Sequence, residues 1–172
     1  SNLFFDGFEK PEGTNLESYF LEGSDTTTAC SLDETIAYEG TASLKFHFDA
    51  APNAWASCNS SFTSVDDWSA GRGIAFYVHA DHAGILYEVY LFGGPFGVHE
   101  TYLHELTTTP ESVDGWERVE VYWEDLLRGS WEENAGTPVN PASIIGFAFD
   151  ISAPQQAPLT GALWIDDFQV IP

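Results

Sequence analysis

The sequence predicts an all-β fold, an antiparallel β-sandwich, in a single domain spanning residues 1–172. Three observations predict it. Short runs of alternating apolar and polar residues recur along the chain. Clusters of Gly, Pro, Asn and Asp separate these runs at regular spacing. No stretch alternates strand with helix, as a parallel sheet requires.

In chain order, strands are expected near 3–9, 17–22, 27–36, 41–49, 54–62, 73–80, 85–92, 97–104, 116–123, 143–151 and 162–170. ASLKFHFD sets Leu44, Phe46 and Phe48 against Lys45, His47 and Asp49. GIAFYVHA sets Ile74, Phe76 and Val78 against Tyr77 and His79. Both are period-two patterns with one face to bury. YEGT, SAGRG, FGGPFG and NAGTPVNP are the turns. Helix is expected only as a turn or two at WEDLLRG.

A chain of 172 residues is long enough for one large core, burying roughly 70% of its unfolded surface. An apolar content of 44% excludes a disordered chain. No apolar run approaches the ~20 residues of a membrane-spanning helix. The opening SNLFFDGFE has no basic leader, so any signal peptide is cleaved or lies outside the sequence. There are 27 acidic residues against 5 Lys and Arg, a net charge of −22. Nucleic acid and anionic lipid need a basic footprint and are excluded as partners. Anionic polysaccharides such as alginate are disfavoured for the same reason.

Cys30 and Cys58 are the two cysteines, and there is no Met. Their spacing makes no zinc site. Each sits in a strand-like stretch, which suits two buried thiols; in an exported protein they pair instead. HETYLHE approaches the zinc-protease pattern, but His99 and His104 are five apart and share no helix face. DDW at 66–68 reads as a turn. Twenty-seven acids make many carboxylate pairs by chance, and the chain has no nucleophile elbow or phosphate loop.

The last strand, in GALWIDDFQVIP, carries Asp166 and Asp167 side by side at its centre. Burying an unpaired carboxylate is costly, so either both face water or a cation offsets them. FFDGFE, IAYEGTASLKFHFD, DWSAGRGIAFYVHA, GWERVEVYWEDL, IIGFAFDI and GALWIDDFQVI follow one another in that order. This series resembles the jelly-roll carbohydrate-binding modules of galactose-binding-like fold, especially the family 11 and family 4 types found beside glycoside hydrolases. The resemblance runs over nearly the whole chain.

The resemblance implies a jelly roll and a structural calcium where the first strand, the turn after the third and the last strand meet. Its matching side chains are Glu9 and Asp167, with backbone carbonyls near Glu39 and Ala42. Calcium takes six to eight hard oxygens and neutralises carboxylates that would repel. Asp166 is then expected to face water, unless a bulge reverses the pair. The alternative is a solvated acidic edge with no metal.

The resemblance also implies a sugar site on the concave face of one sheet, where rings stack on pyranose faces and polar groups meet the hydroxyls. Trp55 and Asn59 share a face of NAWASCNSS, Glu88 and Tyr90 a face of LYEVYLF, and Glu100, Tyr102 and His104 a face of GVHETYLHEL. Trp131, in the polar loop RGSWEENAG, is either a lid on a cleft or a cap on the core edge. Trp116, Phe147, Phe149 and Trp164 read as core or rim. The expected function is a non-catalytic, calcium-stabilised module binding neutral β-glucans, from an exported (secreted or periplasmic) polysaccharide-degrading enzyme whose catalytic domain is its neighbour. The alternatives are a same-fold accessory domain that binds no sugar, packing on a catalytic domain or mediating oligomerisation, and a free-standing glycosidase or lyase.

Overall fold

The computed structural model describes residues 3–9 and 15–172. One antiparallel sheet contains β1 (Phe5–Asp6), β3 (Thr27–Asp33), β4 (Ser43–Ala50), β6 (Gly73–Ala80), β9 (Glu117–Tyr122) and β12 (Leu159–Ile171). Its order is β3-β4-β12-β6-β9, with β1 paired to the end of β12. The other contains β2 (Leu16–Phe20), β5 (Trp55–Asp66), β7 (Leu86–Gly93), β8 (Glu100–Thr107), β10 (Leu127–Arg128) and β11 (Ile144–Ser152), in the order β10-β8-β7-β11-β5-β2. The chain crosses repeatedly between the sheets, giving the expected all-β jelly-roll sandwich.

Two elements escaped the sequence reading. Helix α1 (Pro110–Asp114) has Thr109 as N-cap, Pro at its start and a capping box with Ser112. The start signals are in the sequence, but five residues are too short to show an apolar period. Strand β10 is two residues long. WEDLLRG holds a single 3₁₀ turn, Trp123–Asp125.

The core lies between the sheets. Leu44, Phe46 and Phe48 of β4 and Ile74, Phe76 and Val78 of β6 are buried, as their alternation requires. From the other sheet come Cys58, Tyr87, Val89, Leu91, Phe147 and Phe149. Phe168 of β12 joins the two layers. Its ring stacks on Phe147 at a centroid distance of 4.0 Å and lies 6.2 Å from Phe149 in an edge contact.

Phe168 reaches the core because β12 carries one extra residue. Asp166 pairs with Tyr77, and the next pair is Gln169 with Ala75, so three steps on β12 oppose two on β6. Asp167 occupies the left-handed region, with φ of 47°. This is a β-bulge, and it shifts the side-chain phase by one. Leu163 and Ile165 face the core before it; Phe168 and Val170 face it afterwards. Aspartate tolerates this backbone better than most residues with a Cβ.

Cys30 of β3 and Cys58 of β5 form a disulfide, with Cα atoms 5.6 Å apart. The paired alternative therefore holds, and the bond joins one sheet to the other. Its sequence separation of 28 residues corresponds to about 3.6 kcal/mol of restricted unfolded-state entropy in the chain-entropy account. Replacing both cysteines by alanine should lower stability by about 3 to 4 kcal/mol in guanidinium unfolding. An unchanged midpoint would show that the bond contributes nothing.

Candidate functional site

The outer face of the β2–β5–β11–β7 strands forms an open groove of about 650 Å³. Strand pairing aligns its floor in rows. Tyr19, Ser57, Asp150 and Glu88 lie directly across from one another on β2, β5, β11 and β7. The next row holds Asn59, Ala148 and Tyr90. Small side chains leave the centre low. Trp55, 39% exposed, Tyr19, 46%, and Trp131, 62%, stand around it. Phe92 and His99 line it as well, with ring centroids 5.3 Å apart.

Trp131 is held by its own loop. Glu132 accepts from the Thr101 backbone N–H at 2.7 Å and from Arg128 Nε at 2.9 Å. The indole lies over Gly129, where a Cβ would collide with it. Its ring sits 6.4 Å from that of Tyr90. The loop indole therefore lies at the groove rather than over the sandwich core.

The groove is acidic and without Lys or Arg among its described lining residues. Asp150 is only 6% exposed. Burial, and then the facing Glu88 carboxylate, push its carboxyl well above the usual range. Glu88 is also raised, first by burial, while the Tyr90 hydroxyl beside it works in the opposite direction. Burial likewise pushes the Tyr90 hydroxyl up. Asn59 Oδ1 is buried and has no hydrogen-bond partner.

Trp55, Asn59, Glu88, Tyr90 and Trp131 thus come together in one groove. Glu100 and Tyr102 do not. Tyr102 pairs with Leu91 and Leu103 with Tyr90, so Leu103 is the β8 side chain beside the groove and Tyr102 faces the core side. The Tyr102 hydroxyl donates to Glu100 at 2.8 Å, and Arg128 approaches Glu100 at 3.5 Å and lies over the Tyr102 ring. The alternation of GVHETYLHEL correctly groups Glu100, Tyr102 and His104. It does not say which sheet face they share, and β8 lies near a sheet edge where both faces are partly covered. His99 and His104 are far apart in role: His104 Nδ1 contacts the Asp125 carbonyl at 3.1 Å.

Sequence reasoning missed Tyr19, Phe92, His99 and above all Asp150. IIGFAFDIS looks like a strand buried on both faces. One signal was present: Ala148, Asp150 and Ser152 alternate with Phe147, Phe149 and Ile151.

The paired aspartates lie at the opposite sheet. Asp166 is fully buried, not facing water. Its carboxylate accepts from the backbone N–H groups of Tyr38 at 2.8 Å, Glu39 at 3.3 Å and Asp167 at 2.8 Å. Those three donors stand in for the solvent it lost. Glu9 grips the other end of the same turn, accepting from the N–H and hydroxyl of Thr41, both at 2.8 Å. These bonds hold the Glu9 carboxyl below the usual range. Gly40 has φ of 70°, and a Cβ there would run into the Glu9 carboxylate.

Asp167 is 8% exposed, and its carboxyl is pushed up to about 6, first by burial and then by Asp166, Glu39 and Glu9. Among the described residues, no group of three or more His, Cys, Asp or Glu side chains is placed to hold a metal ion. The expected calcium set has two side-chain carboxylates, from Glu9 and Asp167, with carbonyls of the Glu39–Ala42 turn. The donor chemistry fits a hard cation: oxygens only, a surplus of negative charge, and an acid held in a strained bulge against three others.

No protein-family model matches the sequence, and no curated protein matches it. Solved structures do match. The family 11 carbohydrate-binding module of the cellulosomal cellulase Lic26A-Cel5E of Clostridium thermocellum superposes with a TM-score of 0.71 at 17% identity, over 99% of this chain and 96% of that one. A structure described as the family 11 module from Clostridium thermocellum in complex with a β-1,3-1,4-mixed-linked tetrasaccharide gives the same score and identity, over 99% of this chain and 97% of that one. The family 30 module of the cellulosomal cellulase Cel9D-Cel44B of the same organism gives 0.70 at 14% identity, over 98% and 97%. At such identities the likeness is one of architecture: this chain has the jelly-roll β-sandwich fold of carbohydrate-binding modules.

Proposed function

We propose that this domain is a non-catalytic module that binds neutral β-glucan chains along the Trp55–Trp131 groove. One observation carries the reading: exposed aromatic rings flank a polar floor in an open groove on one sheet. Flat rings match the C–H faces of pyranoses, and the polar floor meets the hydroxyls. The groove has no described Lys or Arg, and the chain's net charge is −22, so a polyanion is repelled. The fold likeness to modules of cellulosomal cellulases supports the same class of ligand. It also supports an extracellular setting beside a catalytic domain, and the disulfide supports the extracellular setting.

The non-catalytic part of the reading rests on the absence of a nucleophile motif from the sequence. Glu88 and Asp150 on adjacent strands are the carboxyl pair whose hydrolytic role the assay for released sugar tests. Calcium belongs to the same proposal as a structural ion. It would be held by Glu9, Asp167 and the carbonyls near Glu39 and Ala42, where it would neutralise the bulge and pin the turn to β12.

Affinity electrophoresis should show retardation by mixed-linkage glucan or laminarin, weaker effects of xylan, and none of alginate. Dissociation constants should be micromolar to millimolar, about −4 to −8 kcal/mol. Trp55→Ala should weaken binding about tenfold or more while the melting temperature stays in place, and no reducing sugar should be released. Retardation by none of these polymers would favour the accessory-domain reading, and release of sugar would favour an enzyme.

Calcium should raise the melting temperature and EDTA lower it. Mass action gives about 2.7 kcal/mol at a hundredfold excess over the dissociation constant. Asp167→Ala should remove the response and Glu9→Ala weaken it. A melting temperature indifferent to both calcium and EDTA would take the metal out of the account.

A further inference from the structure

The groove floor presents acceptors with too few donors. Asp150 lies directly across from Glu88, and next along that row is Glu105 of β8. No hydrogen bond from a described residue shapes the Asp150 carboxyl; only burial and Glu88 act on it. Asn59 Oδ1, on the neighbouring row, is buried and also lacks a donor.

Among the described residues, the surroundings supply no cation to relieve this. From β5 come Ser57 and Asn59, from β2 Tyr19, and from β7 Glu88 and Tyr90. Tyr19 is already committed to Glu17. The titratable His99 lies against Phe92, two row positions from Glu88. Arg128 is occupied by Glu100 and Glu132. Two carboxyls side by side with little water cannot both ionise cheaply, and such pairs titrate as a unit.

Resting on the carbohydrate-binding reading, we propose that Asp150 and Glu88 share one proton and together form the polar recognition element of the groove. Asp150 donates to a sugar oxygen while Glu88 accepts from a hydroxyl. A shared proton turns two repelling acceptors into one donor and one acceptor. A neutral pyranose edge, which offers both ether oxygens and hydroxyls, complements that pair. A uronic acid in the same place adds a third carboxylate and is rejected.

The pair also couples binding to pH. A glycan lying over the floor expels the remaining water and disfavours the doubly ionised state further. The complex therefore holds the proton to higher pH than the free protein does. Affinity is constant while both states are protonated. It then falls, by up to about tenfold per pH unit, across the interval between the free and bound titrations, and levels off above it.

Calorimetry with a mixed-linkage glucan oligosaccharide, between about pH 5 and pH 9 and in buffers of different ionisation enthalpy, tests this. The expected result is net proton uptake approaching one where the dissociation constant rises with pH. Asp150→Asn and Glu88→Gln should each flatten the slope and remove the uptake. A dissociation constant independent of pH with no proton exchange overturns the proposal, as does a slope that survives Asp150→Asn. Carboxyl ¹³C NMR of the free protein separates the two ways of failing. A coupled, two-step titration of Asp150 and Glu88 without any glycan binding refutes the carbohydrate reading. Two independent titrations near the ordinary carboxyl value, with binding intact, refute the shared proton.

Discussion

The extra residue at Asp167 shifts β12 by one position, and the packing of the sandwich depends on that shift. Without it, an aspartate would face the core where Phe168 now stacks on Phe147. Asp166, the last residue in register before the bulge, lies against the turn that precedes β4 and accepts from the Tyr38 and Glu39 backbone N–H groups. Glu9 takes the other end of that turn. The turn before β4 is thus held from both sides, by Asp166 of the last strand and by Glu9 of the segment after β1. The cost is a carboxyl at Asp167 held among three others.

The disulfide is a separate link. It ties edge strand β3 of one sheet to β5 of the other. β5 also contributes Trp55, Ser57 and Asn59 to the groove, on the face opposite Cys58. The alternation of one strand therefore serves both purposes: its inner face anchors the sheets and its outer face builds the floor. The groove floor is built from strands rather than loops, and Trp131 comes from a loop fastened through Glu132 and Arg128.

Charge gives the groove its character. A chain with so few cations leaves little to neutralise a buried carboxyl, so Asp150 and Glu88 face one another across β11 and β7 beside the Ser57 and Tyr90 hydroxyls and the Asn59 amide, with Glu105 next along the row. That arrangement favours ligands that bring hydrogen-bond donors and no negative charge. Under the proposed carbohydrate reading, the aromatic rings around the groove would supply the remaining contact area.

Much of the fold was legible because side-chain alternation is a local property. LKFHF, IAFYV and YEVYL each state which residues share a face, and the structure keeps each grouping. Turn residues likewise marked most strand ends. The faces of β8 were not legible, since its alternation is equally compatible with Tyr102 turned toward the core or toward the groove. Asp150 was hidden for a related reason: a strand with Phe, Ala and Ile on its two faces reads as core until its outer neighbours are known. Asp166 was placed in water because its three backbone donors come from a turn 127 or more residues away, and from the bulge itself.

By itself, the sequence determined the strand periodicity, the strongly acidic charge and the aromatic supply, all of which depend on residue type and near neighbours. Tertiary structure decided the pairing of Cys30 with Cys58, the phase shift at Asp167 and the row Tyr19–Ser57–Asp150–Glu88. Each of these needs a register between strands distant in the chain, and register is set by long-range pairing that a period of two cannot encode.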